Sequence, residues 1–476
     1  MLPRRAKIVC TIGPASSSPE KLAALVEAGM DVARLNFSHG TYQDHAQVIA
    51  ELRRLAAQRN RPLTLLQDLR GPKIRTGPLA AGPVELVAGA PFTITTRPVP
   101  GDAACVSTTY PRLPADVKPS DQLLLSDGLL RLVVKAVRGE DVECVVVDGG
   151  QLRARAGINL PGVSVSAPSL TAKDEADLEF GIAQEVDYVA LSFVRRAADV
   201  TDLKERLARR GAAIGVVPKI EKPEALDELE AILSAADAVM IARGDLGVEL
   251  SPERVPFIQK QIIRQAAQFR VPVITATQML ESMIEHPRPT RAEASDVANA
   301  VFDGTDAVML SGETAAGRYP VEAAAMMARI VREAETHLAF TPERRRREEG
   351  TVSFPDAMAE ASCRAAAEVK AVAIVAFTQS GFTARLISKH RPSVPVVAFT
   401  PHPCILRRLG LYWGVLPRYA PFIADTEQMI TRADRALLEE NLTRPGDPLV
   451  FLAGSPSSQQ GTTNLMKLHW AGGGPS

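Results

Sequence analysis

The chain has 476 residues, 46% of them hydrophobic, which is too long for one ordinary core and implies two or three domains. Its 55 Lys and Arg balance its 55 Asp and Glu, excluding a general attraction to nucleic acid or to an anionic membrane, so any phosphate recognition must be local. The five cysteines (Cys10, Cys105, Cys144, Cys363, Cys404) form no CxxC pair, and the sequence carries no apolar leader and no membrane-length apolar run. A reduced, cytoplasmic protein without structural zinc is expected.

From Lys7, short apolar strands alternate with amphipathic helices: strand Lys7–Thr11, helix Ser18–Ala28, strand Val32–Leu35, helix Tyr42–Arg59 and strand Leu63–Gln67. Between about Gly71 and Gly157 the pattern changes to β-branched strands (Phe92–Thr96, Leu129–Val137, Val142–Val147) divided by Gly, Pro and Asp, which reads as an inserted β domain. Alternation resumes with helix Ala176–Gln184, strand Tyr188–Phe193, helix Val200–Arg209 and strand Ile214–Glu221, then strands Ala238–Ala242, Val273–Ala276 and Ala307–Leu310. Eight such strands predict an α/β fold of the (β/α)8, or TIM-barrel, type, whose chemistry sits at the C-terminal strand ends.

A long helix, Val321 to about Leu338, leads to the charged run Glu343–Glu349, read as a solvated helix end or linker. After Phe354 a third unit, a small open α/β sheet, is expected from strands Ala371–Phe377, Val396–Phe399 and Leu449–Leu452 with helix Ala384–His390. The tail Ala471–Ser476 reads as frayed. The expected division is barrel 1–70, inserted lid 71–157, barrel 158–340 and C-terminal unit 341–476.

The chemistry-bearing residues cluster at these strand ends. Lys219 and Glu221, two apart on a strand, project to one side. Asp245 follows the next strand, with Gly244 before it permitting close backbone approach. Glu221 and Asp245 would make an oxygen-rich, partly hydrated Mg²⁺ site beside a lysine, an arrangement suited to phosphoryl transfer. Arg34 to Gly40 and Gln67 to Gly77 supply guanidinium forks and further acids, and Thr275 to Leu280 adds hydroxyls.

Thr11–Ser16, Arg34–Gly40, Gly71–Gly77, Gly157–Gly162, Lys219–Glu221, Ala242–Gly247, Thr277–Leu280 and Arg288–Ala300, in that order, resemble pyruvate kinase from residue 5 to about 470. The resemblance implies that family's barrel, inserted small β-barrel lid and C-terminal regulatory domain. It implies transfer of the phosphoryl group of phosphoenolpyruvate to ADP, giving ATP and pyruvate, with Mg²⁺ or Mn²⁺ as cofactor. Lys219, Thr277 and Arg34 would be catalytic, Gly244 and Asp245 would join them in holding substrate, and Glu221 and Asp245 would hold the metal. Asn36, Ser38, His39 and Arg75 match the nucleotide side. Relatives that need K⁺ ligate it through positions matching Asn36, Ser38, Asp68 and the carbonyl of Leu69, and carry Glu where this chain has Lys73. An ammonium there can replace the monovalent ion, so independence of K⁺ is expected.

A second departure is Ala156, where the family often has a nucleotide-contacting lysine; Arg155 or Arg153 on the same strand could substitute. In the C-terminal unit, Thr378, Ser380, Gly381 and Thr383 open a helix and resemble the family's effector phosphate loop, over which Ser455–Asn464 could close. The resemblance also implies a homotetramer. A Mg²⁺-dependent lyase or aldolase barrel and a catalytically silent, effector-binding relative are the rivals weighed against this reading.

Overall fold

Burial on both strand faces explains the barrel. The structure, a computed structural model, describes residues 4–163, 165–338, 353–454 and 463–473. Eight parallel strands, β1 (Lys7–Ile12), β2 (Val32–Asn36), β3 (Thr64–Asp68), β4 (Tyr188–Leu191), β5 (Gly215–Ile220), β6 (Val239–Ala242), β7 (Val273–Ala276) and β8 (Ala307–Leu310), close in sequence order. One face of each strand packs on the surrounding helices, as Ile8, Cys10, Leu65 and Ile220 do. The other face fills the lumen with Val9, Val32, Leu66, Tyr188 and Val217. Because side chains two apart share a face, continuing the lumen rows upward brings Thr11, Arg34, Asp68, Ser192, Lys219 and Glu221 to the mouth.

The helices follow their sequence signals. Ser18 caps Pro19–Ala28, and Thr41 with Asp44 forms a capping box on Tyr42–Gln58. The helix expected from Ala176 starts earlier, at Ala172, because Thr171 and Asp174 form a second capping box.

The inserted β unit is present between β3 and β4. Its strands form a six-stranded, mostly antiparallel sheet and a two-stranded sheet around one core that includes Phe92, Leu123, Leu132 and Val146. Among the described residues the expected inserted β lid takes the form of two sheets sharing one core.

In the C-terminal unit the sheet order is β11-β10-β9-β12-β13, with β9 (Ala373–Phe377), β10 (Val396–Thr400), β11 (Val415–Tyr419), β12 (Pro448–Ala453) and β13 (Leu465–Trp470). Two of these five strands were not expected. Pro417 interrupts the β signal of β11, and β13 is an antiparallel edge strand whose polar and apolar residues alternate weakly. The tail is anchored at its start, since Ala471 is buried and its N–H donates to Asp447 O. The run Glu343–Glu349 and most of Ser455–Asn464 lie outside the described residues.

The C-terminal unit closes the barrel floor. Leu409, Leu411 and Tyr412 belong to the same apolar cluster as the lumen residues, so the lower lumen is dry and continuous with the C-terminal core.

Charges at this floor are buried in pairs. Asp31 accepts the N–H of Ile8 and pairs with Arg4 and Arg61 at 2.5 and 2.8 Å. Burial alone would raise its pKa, but Arg4, Lys7 and Arg61 outweigh that and hold the carboxyl well below its ordinary range. A depressed acid adds stability above the unfolded carboxyl range that disappears as pH falls through the folded pKa. Asp31→Asn should therefore cost about 3 kcal/mol at pH 7, where it strands two cations. The gap to wild type should narrow below about pH 4, as denaturant unfolding across pH would measure.

Candidate active site

The mouth gathers the groups the sequence singles out. Lys219 Nζ lies 2.8 Å from Glu221 Oε1 and 3.4 Å from Asp68 Oδ1, and donates to Ser192 Oγ at 2.9 Å. Arg34 Nε donates to Asp68 Oδ2 at 2.6 Å, and its Nη1 to Thr11 Oγ1 at 2.9 Å. Asp68 thus sits between the guanidinium of the adjacent strand β2 and the ammonium of β5, two strands away.

Burial sets the electrostatics. It penalises the charge on Lys219, yet Asp68 and Glu221 more than offset this and keep the ammonium protonated well above its usual range. For Asp68 the burial penalty is likewise outweighed, by Lys219 and Arg34, and its pKa falls. Glu221 goes the other way. Full burial, reinforced by the nearby Asp245, raises its pKa despite Lys219 and the N–H of Phe193 that Oε2 accepts at 2.8 Å.

Glu221 Oε1 is buried and, apart from its ion contact with Lys219, has no hydrogen bond of good geometry. A carboxylate pushed toward neutrality with an unsatisfied oxygen, next to a second carboxylate, suits a hard divalent cation that would restore its charge. No group of three or more His, Cys, Asp or Glu able to hold a metal occurs among the described residues. An ion held by Glu221 and Asp245 would take its remaining ligands from water and substrate oxygens, as Mg²⁺ prefers.

Thr277 stands on a strained turn. Its φ is +68° and that of Gln278 +54°, a conformation costly for a β-branched residue. The Thr277 hydroxyl donates to Ala276 O at 2.7 Å and accepts the Gly244 N–H at 2.8 Å, tying the two loops together. A Cβ on Gly244 would lie 3.4 Å from that hydroxyl.

Three supporting residues escaped sequence reasoning. Arg243 donates to the carbonyls of Ala276, Thr277 and Gln278 and pairs with Asp296 at 2.7 Å, so one guanidinium clamps the whole turn. Glu313 accepts the N–H groups of Leu280 and Ser311 at 3.0 and 2.7 Å. Ser192 bridges Lys219 to the carbonyl of Leu69, to which it donates at 2.8 Å. The only sequence signal for Arg243 is its place between Ala242 and Gly244 at the end of an apolar strand.

Other expected residues have partners of their own. His39 is exposed, and its carbonyl contacts His45 Nε2 at 3.0 Å. Asn36 Oδ1 accepts the N–H of Ser38 at 3.1 Å. Arg75 donates to Arg155 O at 3.2 Å, against the backbone of the inserted unit. Ala156 packs into that unit's core, while Arg153 and Arg155 are exposed beside it. Lys73 lines a cleft between barrel and inserted unit, with Asp245, Asn159, Arg195 and Lys222. Glu249 bridges this cleft, accepting from Lys222 Nζ at 2.5 Å and from Asn159 Nδ2 at 3.0 Å.

A closed (β/α)8 barrel with an ammonium, a guanidinium and carboxylates converging at its C-terminal strand ends defines an enzyme that handles phosphorylated anions. The family description "Pyruvate kinase, barrel domain" matches residues 3–324, and "Pyruvate kinase, alpha/beta domain" matches residues 356–469. The chain is 47% identical to the pyruvate kinase of Geobacillus stearothermophilus over 470 residues, covering 98% of this chain and 80% of that one. It is also 47% identical to the Mycobacterium intracellulare enzyme over 472 residues, covering 98% and 99%. A crystal structure of a pyruvate kinase from Cryptosporidium parvum superposes with a TM-score of 0.91 at 37% identity, covering 98% of this chain and 96% of that one. The chain belongs to the pyruvate kinase family and is a phosphotransferase of that family.

Arg243 is a positioning residue, so Arg243→Lys should loosen the Thr277 turn without touching substrate. Steady-state assays should show kcat lowered about 100-fold, the scale of a 1 Å misplacement, with KM for phosphoenolpyruvate little changed.

Proposed function

We propose that this enzyme transfers the phosphoryl group of phosphoenolpyruvate to ADP with the residues gathered around Lys219. The observation that carries the reading is the Lys219 ammonium, held within 3.4 Å of Asp68, Glu221 and Ser192 at the barrel mouth. Arg34 and Lys219 meet the substrate phosphate. Lys219 remains protonated throughout and stabilises the charge spread over the equatorial oxygens of the transferring group.

The bridging P–O bond breaks as an oxygen of the ADP β-phosphate bonds to phosphorus, and the electron pair passes to the enolate of pyruvate. Thr277 orders the water that delivers a proton to the enolate carbon. Gly244 and Asp245 face the substrate carboxylate, and Asn36, Ser38, His39 and Arg75 form the nucleotide side, with Arg153 or Arg155 standing in for the lysine absent at Ala156. Glu221 and Asp245 would hold Mg²⁺ or Mn²⁺, which when bound supplies neutralisation of phosphoryl and carboxylate charge. Lys219→Met should lower kcat at least about 1,000-fold in folded enzyme; undiminished turnover in a lactate dehydrogenase-coupled assay would refute the reading.

The enzyme needs a divalent ion but not K⁺. Asp68 is already paired with Arg34 and Lys219, which leaves little negative charge for a further cation. Lys73 adds an ammonium to the same cleft wall as Asp245, although no ion pair joins it to Asp68 among the described residues. Chelation should abolish turnover, whereas K⁺ added to buffers free of Na⁺ and K⁺ should change it less than tenfold. Lys73→Glu should create dependence on K⁺.

The same reading divides the chain at residues 70, 157 and 340 and places the enzyme in the cytoplasm. Among the described residues no helix is long and apolar enough to cross a membrane. The C-terminal unit is regulatory, with Thr378, Ser380 and Thr383 lining a cavity, and Gly381 between them, as a phosphorylated effector's site. Assembly as a homotetramer is supported by β13, an edge strand that turns the exposed Met466, Leu468 and Trp470 to one face.

A further inference from the structure

At the barrel floor, opposite the mouth, four aspartates recur at one place in the fold. Asp31, Asp187, Asp237 and Asp306 stand one or two residues before the even-numbered strands β2, β4, β6 and β8. Each makes the same two-bond ring with the odd-numbered strand before it. Asp31 does so with Ile8, donating its backbone N–H at 3.0 Å and accepting on Oδ2 at 2.9 Å; Asp187 does so with Leu65 at 3.0 and 2.8 Å. Asp237 pairs with Val216 at 3.0 and 2.9 Å, and Asp306 with Val273 at 3.0 and 2.7 Å. A carboxylate and its own N–H, both bonded to one residue of the neighbouring strand, fix the axial offset of the two strands at their start. An extended strand is stiff along its length, so an offset fixed at the floor is carried to the mouth.

The four differ in what neutralises them. Asp31 uses Arg4 and Arg61, both from the barrel. The other three, besides Arg53 and Lys204 of the barrel, take cations from the C-terminal unit. Arg407 Nε is 2.7 Å from Asp187, Arg408 Nη2 is 3.7 Å from Asp237, and Lys389 Nζ is 2.5 Å from Asp306, which Arg391 Nη1 also approaches to 3.0 Å. The junction is bonded in the other direction too. Thr64 Oγ1 donates to Arg407 O at 2.6 Å and Tyr188 OH to Arg408 O at 3.1 Å, while the Arg408 guanidinium lies 5.3 Å over the Tyr188 ring. The odd-numbered strands seated on these three aspartates are those that carry site residues: β3 ends in Asp68, β5 bears Lys219, and β7 runs into Thr277.

We propose that the C-terminal unit is a positioning clamp for the active site. Lys389, Arg407 and Arg408, seated on Asp306, Asp187 and Asp237, set the height of the strands that bear Thr277, Asp68 and Lys219. All three cations come from the C-terminal ends of two helices, Phe382–Lys389 and Pro403–Arg408, or directly adjoin them, and both helices begin beside the C-terminal cavity. The clamp rests on the site reading above, and it does not depend on that cavity binding anything.

The test compares Arg407→Gln, Lys389→Gln and Arg5→Gln in the full chain, at a temperature where circular dichroism shows each folded. Arg5 also crosses the junction, donating to Ser393 O at 2.6 Å, but it serves none of the four aspartates. The expected result is kcat lowered about 10-fold or more for Arg407→Gln and Lys389→Gln, with recovery of most of it in Arg407→Lys. Arg5→Gln should lower the melting temperature and leave kcat at the wild-type value. If Arg407→Gln does not fold, Arg408→Gln, which breaks the longest of the three ion contacts, takes its place. The proposal is overturned if the clamp variants lose thermal stability with kcat unchanged, or if Arg5→Gln lowers kcat as much as they do. Failure of the site reading is separate, since it is read from Lys219→Met alone.

Discussion

The structure depends on one buried ammonium. Lys219 occupies the top of a lumen whose lower half is apolar, where an isolated cation would be prohibitively costly. It is tolerated because Asp68, Glu221 and Ser192 surround it and because Arg34 shares the charge of Asp68. The set is self-consistent only when complete, since removing one member strands another charge in the same dry environment. A phosphorylated substrate entering this mouth meets cations already oriented and held, so little reorganisation is left for the reaction itself.

Around that centre the loops are held by backbone-directed bonds rather than by packing alone. The Thr277 turn is kept in an unfavourable conformation by Arg243, whose guanidinium spans three successive carbonyls, and by Glu313, which takes two N–H groups. Across the cleft, Glu249 joins Asn159, whose strand Ile158–Asn159 pairs into the inserted sheet just beyond residue 157, to Lys222, the residue after Glu221. The inserted unit is thus tethered one residue from a metal-ligand candidate, which couples its posture to the chemistry it covers.

Much of this was legible in the sequence, for a physical reason. The barrel strands are short apolar runs, and period-two geometry alone puts Lys219 and Glu221 on one side and continues the row from Val217. Asp68 and Arg34 were legible as charges at strand ends, but their mutual contact at 2.6 Å depends on the parallel register of β2 and β3, in which Asn36 faces Asp68 and Arg34 faces Leu66. Ser192 and Arg243 were hidden because a serine after an apolar strand and an arginine before a glycine carry no periodic signal. Two C-terminal strands were missed for a similar reason, since β11 contains a proline and β13 is an edge strand with one exposed face.

The floor aspartates show where local reading stops. Their sequence contexts, Met30-Asp31-Val32, Val186-Asp187-Tyr188, Ala236-Asp237-Ala238 and Thr305-Asp306-Ala307, are visible as an acid opening every second strand. Read locally, an acid before a strand is an ordinary polar terminus. Only parallel pairing of each even-numbered strand with the odd-numbered strand before it turns the repeat into four equivalent joints, because each carboxylate accepts an N–H of that neighbouring strand. Burying four acids at one end of a barrel requires matching cations, and the surrounding helices supply only part of them, through Arg53 and Lys204. A third unit that both plugs the lumen with Leu409 and Leu411 and delivers Lys389, Arg407 and Arg408 solves the apolar and the ionic problem with one interface.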